Sequence, residues 1–211
     1  MSKKEKFYGV NNTNWGHKWG FRDSGFIVNE DRSVTFAGNR YPICGKKLSK
    51  FIPFVEEVLG VEFKIKPKVE ELDKKHVDKA FVNHDFISEL RSRFNEDRFT
   101  EEDNERLLHS HGQHSTDEVY KVLYGKLKKF TDLVFYIESE EEAIELIELA
   151  KKHDVCLIPY GGGTNVTNAL RPPEDEHRMI VTVDTRRLNK IESLDKENLM
   201  VTVQSGITGK D

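Results

Sequence analysis

The chain of 211 residues is short of cysteine, of long apolar runs and of any surplus of charge of one sign. Its two cysteines, Cys44 and Cys156, lie far apart with no paired framework, which excludes a disulfide scaffold and fits reduced thiols in an intracellular compartment. The apolar runs are strand-sized, well below the ~20 residues of a membrane-crossing helix, so no span is expected. Basic and acidic side chains number 33 and 37, for a net charge of −4, and the clustered basic surplus of a nucleic-acid binder is missing. The charged opening, Met1 to Lys6, is followed by no apolar core and is not a secretory signal. With 36% hydrophobic and 33% charged residues, the composition is that of a globular protein with a polar surface.

Against this plain background one segment stands out: Pro159, Tyr160, Gly161, Gly162, Gly163, Thr164 and Asn165. Glycine has no Cβ and reaches positive φ at little cost, so consecutive N–H groups can converge on an anion that side chains would hold off. Thr164 and Asn165 add side-chain hydrogen bonding. A glycine run alone is often a bare turn, and its surroundings carry the argument. Leu133 to Ile137 reads as a strand. Ser139 stands three residues before Glu142, a capping-box spacing that starts a helix. Along that helix Ala143, Ile144, Ile147 and Ala150 recur at helical spacing, glutamates crowd the start, and Lys151, Lys152 and His153 close it, as the helix dipole favours. Val155 to Ile158 is a second short strand, so the glycine loop leaves the carboxyl end of a βαβ unit, where ligands of α/β layers bind.

Upstream, Leu48, Phe51, Ile52, Val55, Val58 and Leu59 form an apolar stripe ending at Gly60, a C-cap residue, and Phe86, Ile87, Leu90 and Phe94 form another. Both are expected to bury. The charged stretch from Lys64 to Lys79 reads as an exposed connector. Trp15, Trp19, Phe21 and Phe26 could line a channel for a fatty chain, but aromatic side chains dominate core burial whatever the function, and packing is the preferred reading. His109, His111 and His114 have a spacing that could serve a metal, yet no Cys, Asp or Glu in the segment completes a shell; no metal site is assigned and their role stays open. Asp184 and Asn189 are residue types suited to closing a turn.

The strand, the S-x-x-E helix and Pro159–Asn165 together resemble the pyrophosphate loop of FAD-binding flavoproteins of the vanillyl-alcohol oxidase or PCMH type, and not the GxGxxG fingerprint. Asn165 stands where serine is more frequent, and Thr131 where a proline usually precedes the aspartate. The tryptophan-rich leader, His109 to Gln113 and Ser205 to Gly209 narrow the resemblance to the alkyldihydroxyacetonephosphate synthase family, along essentially the whole chain. That resemblance implies an α+β fold: an amino-terminal aromatic-rich leader and helical subdomain over 1–110, then over 111–211 the first part of a PCMH-type FAD-binding domain. It implies FAD as cofactor, held by Pro159 through Asn165, with catalytic residues beyond the chain, which reads as an amino-terminal fragment inactive by itself. The implied reaction exchanges the acyl group of acyl-dihydroxyacetonephosphate for a long-chain fatty alcohol in ether-lipid synthesis. A peroxisomal homodimer with peripheral membrane association is implied with it. Another FAD oxidoreductase of the superfamily, or a non-catalytic partner of a full-length enzyme, remain as alternatives.

Overall fold

The computed structural model describes residues 20–21, 24–64 and 77–209. Trp15, Trp19 and most of the Lys64–Lys79 connector lie outside the described residues, and with them the reading of the leader as packed aromatics.

Three sheets are present among the described residues. Strands β1 (Ser24–Val28), β2 (Val34–Gly38) and β3 (Lys47–Leu48) form a small antiparallel sheet in that order. Helix α1 (Phe51–Leu59) follows and ends, as expected, on Gly60 at φ 64, whose N–H bonds back to Glu56 O. Its apolar stripe is not buried as expected. Ile52 is enclosed, but Phe51, Val58 and Leu59 are 42%, 63% and 60% exposed. Phe51 stacks on Phe26 of β1 at 5.9 Å, and a sheet this small covers little more of the helix than that.

The second stripe behaves as read. Helix α2 (His84–Arg93) is capped by Asn83, whose side chain accepts from Phe86 N at 3.1 Å. Phe86, Ile87, Leu90 and Phe94 are all buried. A 3-10 turn leads into β4 (Phe99–Thr100), then come α3 (Asp103–Leu108), α4 (Thr116–Tyr124) and β5 (Leu133–Tyr136). Helix α5 (Glu140–Lys152) separates β5 from β6 (Cys156–Tyr160), and β7 (Ile180–Asp184) follows. The central sheet runs β4-β5-β7-β6, with β5, β7 and β6 parallel and β4 antiparallel at one edge. The two strands flanking α5 are therefore not neighbours; β7 is inserted between them.

Strand alternation divides the sheet into two faces. Leu133, Phe135 and Val181 join Phe86, Leu90, Phe94 and Phe99 and the helix residues Leu146 and Leu149 in the main core. That core draws on residues on both sides of position 110. The opposite face carries Tyr136, Tyr160, Thr182 and Asp184. A smaller cluster of Leu107, Val122, Leu127 and Phe130 underlies α3 and α4. Last, β8 (Ile191–Asp195) and β9 (Met200–Val203) make a two-stranded hairpin.

Helix α5 corrects one expectation. Ser139 is its N-cap, accepting from Glu142 N at 3.2 Å, but the Glu142 carboxylate accepts from Glu138 N at 2.8 Å, one residue before the capping-box position. Its buried face is Ala143, Leu146, Leu149 and Ala150, while Ile144 and Ile147 are exposed. Apolar residues cover two adjoining faces of this helix, and the sheet takes the one that presents the leucines. Cys156, placed in a buried strand by the sequence, is half-buried, and burial with the nearby Glu176 carboxylate pushes its thiol up.

Candidate functional site

The three parallel strands end level with one another: Tyr136 pairs with Asp184, and Asp184 with Tyr160. The glycine loop leaves this carboxyl edge. Pro159 and Tyr160 close β6 itself, and Thr185 N donates to Tyr160 O at 3.0 Å, tying the strand end to the turn after β7. Gly161, Gly162 and Thr164 are exposed, and Gly163 and Asn165 are buried. A Cβ on Gly161 would meet open space and one on Gly162 would reach only the Thr164 methyl at 4.0 Å, whereas one on Gly163, at φ 70, would collide with the Tyr160 hydroxyl. Among the described residues, the N–H groups of Gly161, Gly162, Gly163 and Thr164 donate to no backbone acceptor. Four successive unengaged donors beside two exposed glycines form a cradle with the chemistry of a phosphate site, and the residues present therefore suit a dinucleotide diphosphate.

The loop is held from behind. Gln113 N donates to Gly163 O at 3.0 Å. Asn165, at φ 56, accepts from Leu170 N at 2.9 Å through Oδ1 and donates from Nδ2 to Glu118 at 2.7 Å. Asparagine tolerates this left-handed conformation better than most residues, which rationalises its presence where serine was the expected type.

Beneath the loop lies a polar cluster that sequence reasoning saw only in part. The His109 ring is fully buried, 4.5 Å from the Tyr160 ring and 5.9 Å from Tyr136. Its Nδ1 lies 2.7 Å from Glu105 O and its Nε2 lies 2.8 Å from Asp184 Oδ2. Arg186 donates from Nε to the same oxygen at 2.7 Å, and Tyr136 donates to Glu105 Oε2 at 2.7 Å. Burial would raise the Asp184 carboxyl, but the His109 hydrogen bond and the Arg186 charge outweigh it and hold it at about 2. Burial, reinforced by the Glu105 carboxylate, pushes the Tyr136 phenol up.

Asp184 does close a turn, accepting from Arg186 N at 2.8 Å, and it also anchors this cluster. His109, His111 and His114 do not converge: His109 belongs to Asp184 and Glu105, His111 Nδ1 lies 3.0 Å from Gly112 O, and His114 is exposed. Among the described residues no three His, Cys, Asp or Glu side chains are grouped as a metal site. Thr131 is buried, its hydroxyl donating to Leu133 O or Ile180 O at 3.0 and 3.1 Å and accepting from Thr182 N, so it ties the strand entrances together. Glu105 and Arg186 were missed. The spacing of Glu105 and His109, four apart, was a usable signal that one helical end presents both.

The sequence profile of the FAD binding domain family matches residues 131–211. An alkyldihydroxyacetonephosphate synthase of Caenorhabditis elegans is 38% identical over 192 residues, covering 91% of this chain and 32% of the relative. Another, from Trypanosoma brucei brucei, is 32% identical over 203 residues, with 92% and 32% covered. A solved structure of an alkyldihydroxyacetonephosphate synthase superposes with a TM-score of 0.83 at 24% identity, covering 94% of this chain and 37% of that one. The chain thus spans about a third of the length of these relatives, and the superposition shows that its α+β fold is shared with that structure.

Proposed function

We propose that this chain, a homologue of alkyldihydroxyacetonephosphate synthases with an FAD-binding domain and FAD as its cofactor, holds the FAD diphosphate in the loop Pro159, Tyr160, Gly161, Gly162, Gly163, Thr164 and Asn165. The observation that carries this reading is the run of four unengaged N–H groups from Gly161 to Thr164 at the carboxyl edge of parallel strands. Bound there, FAD supplies the flavin chemistry; the chain's own part is to bind and orient it. Gly161 and Gly162 leave room for close approach, Gly163 and Asn165 fix the path of the backbone, and Thr164 offers a hydroxyl at the exposed rim.

The wider activity is read for the protein that comprises the full length of its relatives. It is ether-lipid synthesis, in which the acyl group of acyl-dihydroxyacetonephosphate is exchanged for a long-chain fatty alcohol. A peroxisomal location, a homodimer and peripheral membrane contact belong to the same reading. The flavin-binding unit is read as residues 111–211, to which the described part of 1–110 contributes β4 at the sheet edge and α2 in the core. In that reading the chain by itself does not turn over.

Titration of the chain with FAD, followed by flavin fluorescence, tests the loop. In Gly162→Asp a carboxylate enters open space, where the fold tolerates it and a diphosphate does not. Binding by the wild type and its loss in the variant, with an unchanged thermal midpoint without FAD, is the expected result. Equal binding by both proteins overturns the assignment.

A further inference from the structure

Glu118, on α4, stands three residues after Ser115, the spacing of a capping box. It does something else. Ser115 makes no side-chain cap bond, and the Glu118 side chain is only 1% exposed. Its Oε2 accepts from Asn165 Nδ2 at 2.7 Å and from Gly112 N at 3.1 Å, while Oε1 accepts from Arg171 Nε at 3.3 Å. A carboxylate so deeply buried is retained only where several donors converge on it.

The three donors come from three separate segments. Gly112 belongs to the turn after α3, Asn165 ends the glycine loop, and Arg171 lies beyond it. Gly112 also packs directly on the Asn165 side chain, so closely that a Cβ there would overlap it. Gln113, its neighbour, donates to Gly163 O at 3.0 Å. The loop is thus gripped at residues 163 and 165, the two positions with positive φ. Neither grip uses an N–H of residues 161–164.

We propose that Glu118 is the positioning residue of the FAD diphosphate loop: through Asn165 and Gly112 it holds the backbone in the conformation that turns the N–H groups of Gly161 to Thr164 outward. This rests on the assignment of that loop to FAD. Glu118 touches no phosphate. Its role is preorganisation, which raises affinity by removing the ordering that binding would otherwise require, and Arg171 balances its charge on the side away from the cradle. Glutamine can keep this grip, because Asn165 Nδ2 and Gly112 N share Oε2 and its NH2 would then face only Arg171, so alanine is the substitution that removes it.

The experiment compares wild type, Glu118→Ala, Asn165→Ser and the double variant in the 211-residue chain, with Glu118→Gln as the conservative variant that keeps the loop contacts. Two readouts are taken: the FAD dissociation constant, and amide exchange at Gln113 without FAD. Glu118→Ala is expected to weaken FAD about ten- to a hundredfold and to speed exchange at Gln113, with a lower thermal midpoint because buried donors lose their acceptor, whereas Glu118→Gln stays close to wild type in affinity and in exchange. Asn165→Ser removes the contact to Glu118 together with the one to Leu170 N. The double variant is expected to lose less than the sum of the single losses, since the Glu118–Asn165 contact is common to both.

Unchanged affinity in Glu118→Ala, or losses that add fully in the double variant, overturns the proposal. If Gly162→Asp abolishes binding while Glu118→Ala does not weaken it, the loop assignment stands and only the positioning role fails. If Gly162→Asp binds normally, the loop assignment itself fails. If the wild type takes up no FAD, exchange at Gln113 decides: acceleration in Glu118→Ala but not in Glu118→Gln supports the grip on the loop, and no change in Glu118→Ala overturns it.

Discussion

Gly163 shows how much of the site rests on one residue's backbone. At φ 70 it adopts a conformation that L side chains rarely take, and its missing Cβ is what leaves room for the Tyr160 hydroxyl. Gly163→Ala is therefore expected to destabilise the protein by about 1–3 kcal/mol, whereas Gly161→Ala, facing open space, costs far less. Urea unfolding of the two variants checks this, and equal midpoints would remove the packing argument. Asp184 carries a second prediction. Its folded value of about 2 lies below its ordinary 3.8, so the stabilisation is fully present above about pH 4 and is lost as pH falls through about 2. Asp184→Asn is expected to lower stability by ~2 kcal/mol at neutral pH, and the gap to wild type is expected to close over that acidic window in urea midpoints taken against pH.

These residues were legible to different degrees. The glycine loop announces itself because the constraint is local: three glycines in sequence are what a close backbone approach requires. Asp184 was visible as a turn residue, since that role depends on Arg186 two positions on. Its pairing with His109, 75 positions away, depends on how α3 docks on the sheet, and no local pattern encodes that. Glu118 was hidden for a subtler reason. Its S-x-x-E context predicts a local bond, and tertiary donors outcompete it.

At the scale of the element, α5 separates what periodicity tells from what it leaves open. The helix, its cap at Ser139 and its basic end follow from the sequence, because each depends on residues within one or two turns. Which face meets the sheet does not. Alanine, isoleucine and leucine alternate so that Ala143 and Leu146 lie beside Ile144 and Ile147, and only docking chooses between the two stripes. Truncations measure the choice: Leu146→Ala is expected to cost about 2–5 kcal/mol, while Ile144→Ala, at an exposed position, stays within about 0.5 kcal/mol. Ser139→Ala is expected to cost ~1 kcal/mol through loss of the cap. A larger loss at Ile144 than at Leu146 would reverse the assignment of the buried face. Helix α1 is the same problem in starker form. Its stripe was read correctly as apolar, but burial depends on the size of the neighbour, and a three-stranded sheet with short strands offers little area.

The whole molecule is uneven in stability. The parallel strands β5, β7 and β6 have helices α2 and α5 on one face, with the polar cluster and α3 on the other, and most of their residues are buried. Among the described residues the β8–β9 hairpin has no such cover: Ile191, Leu194, Leu199, Met200, Val201 and Val203 are all exposed. It is joined to the rest through Gly206 N, which donates to Leu188 O at 2.7 Å, and through the turn after β7. An isolated two-stranded hairpin is marginal in water, and its apolar side chains contribute to stability only when something covers them. Amide exchange is therefore expected to split the molecule into two classes. The amides of β5 and β7 should open only with global unfolding, and those of β8 and β9 by local opening, orders of magnitude faster. Uniform protection would mean that the hairpin belongs to the cooperative unit despite its exposure. The split class has a consequence for the FAD titration. The diphosphate cradle sits on the protected strands, so binding measured at 159–165 is expected to leave exchange in the hairpin unchanged while slowing it around the loop.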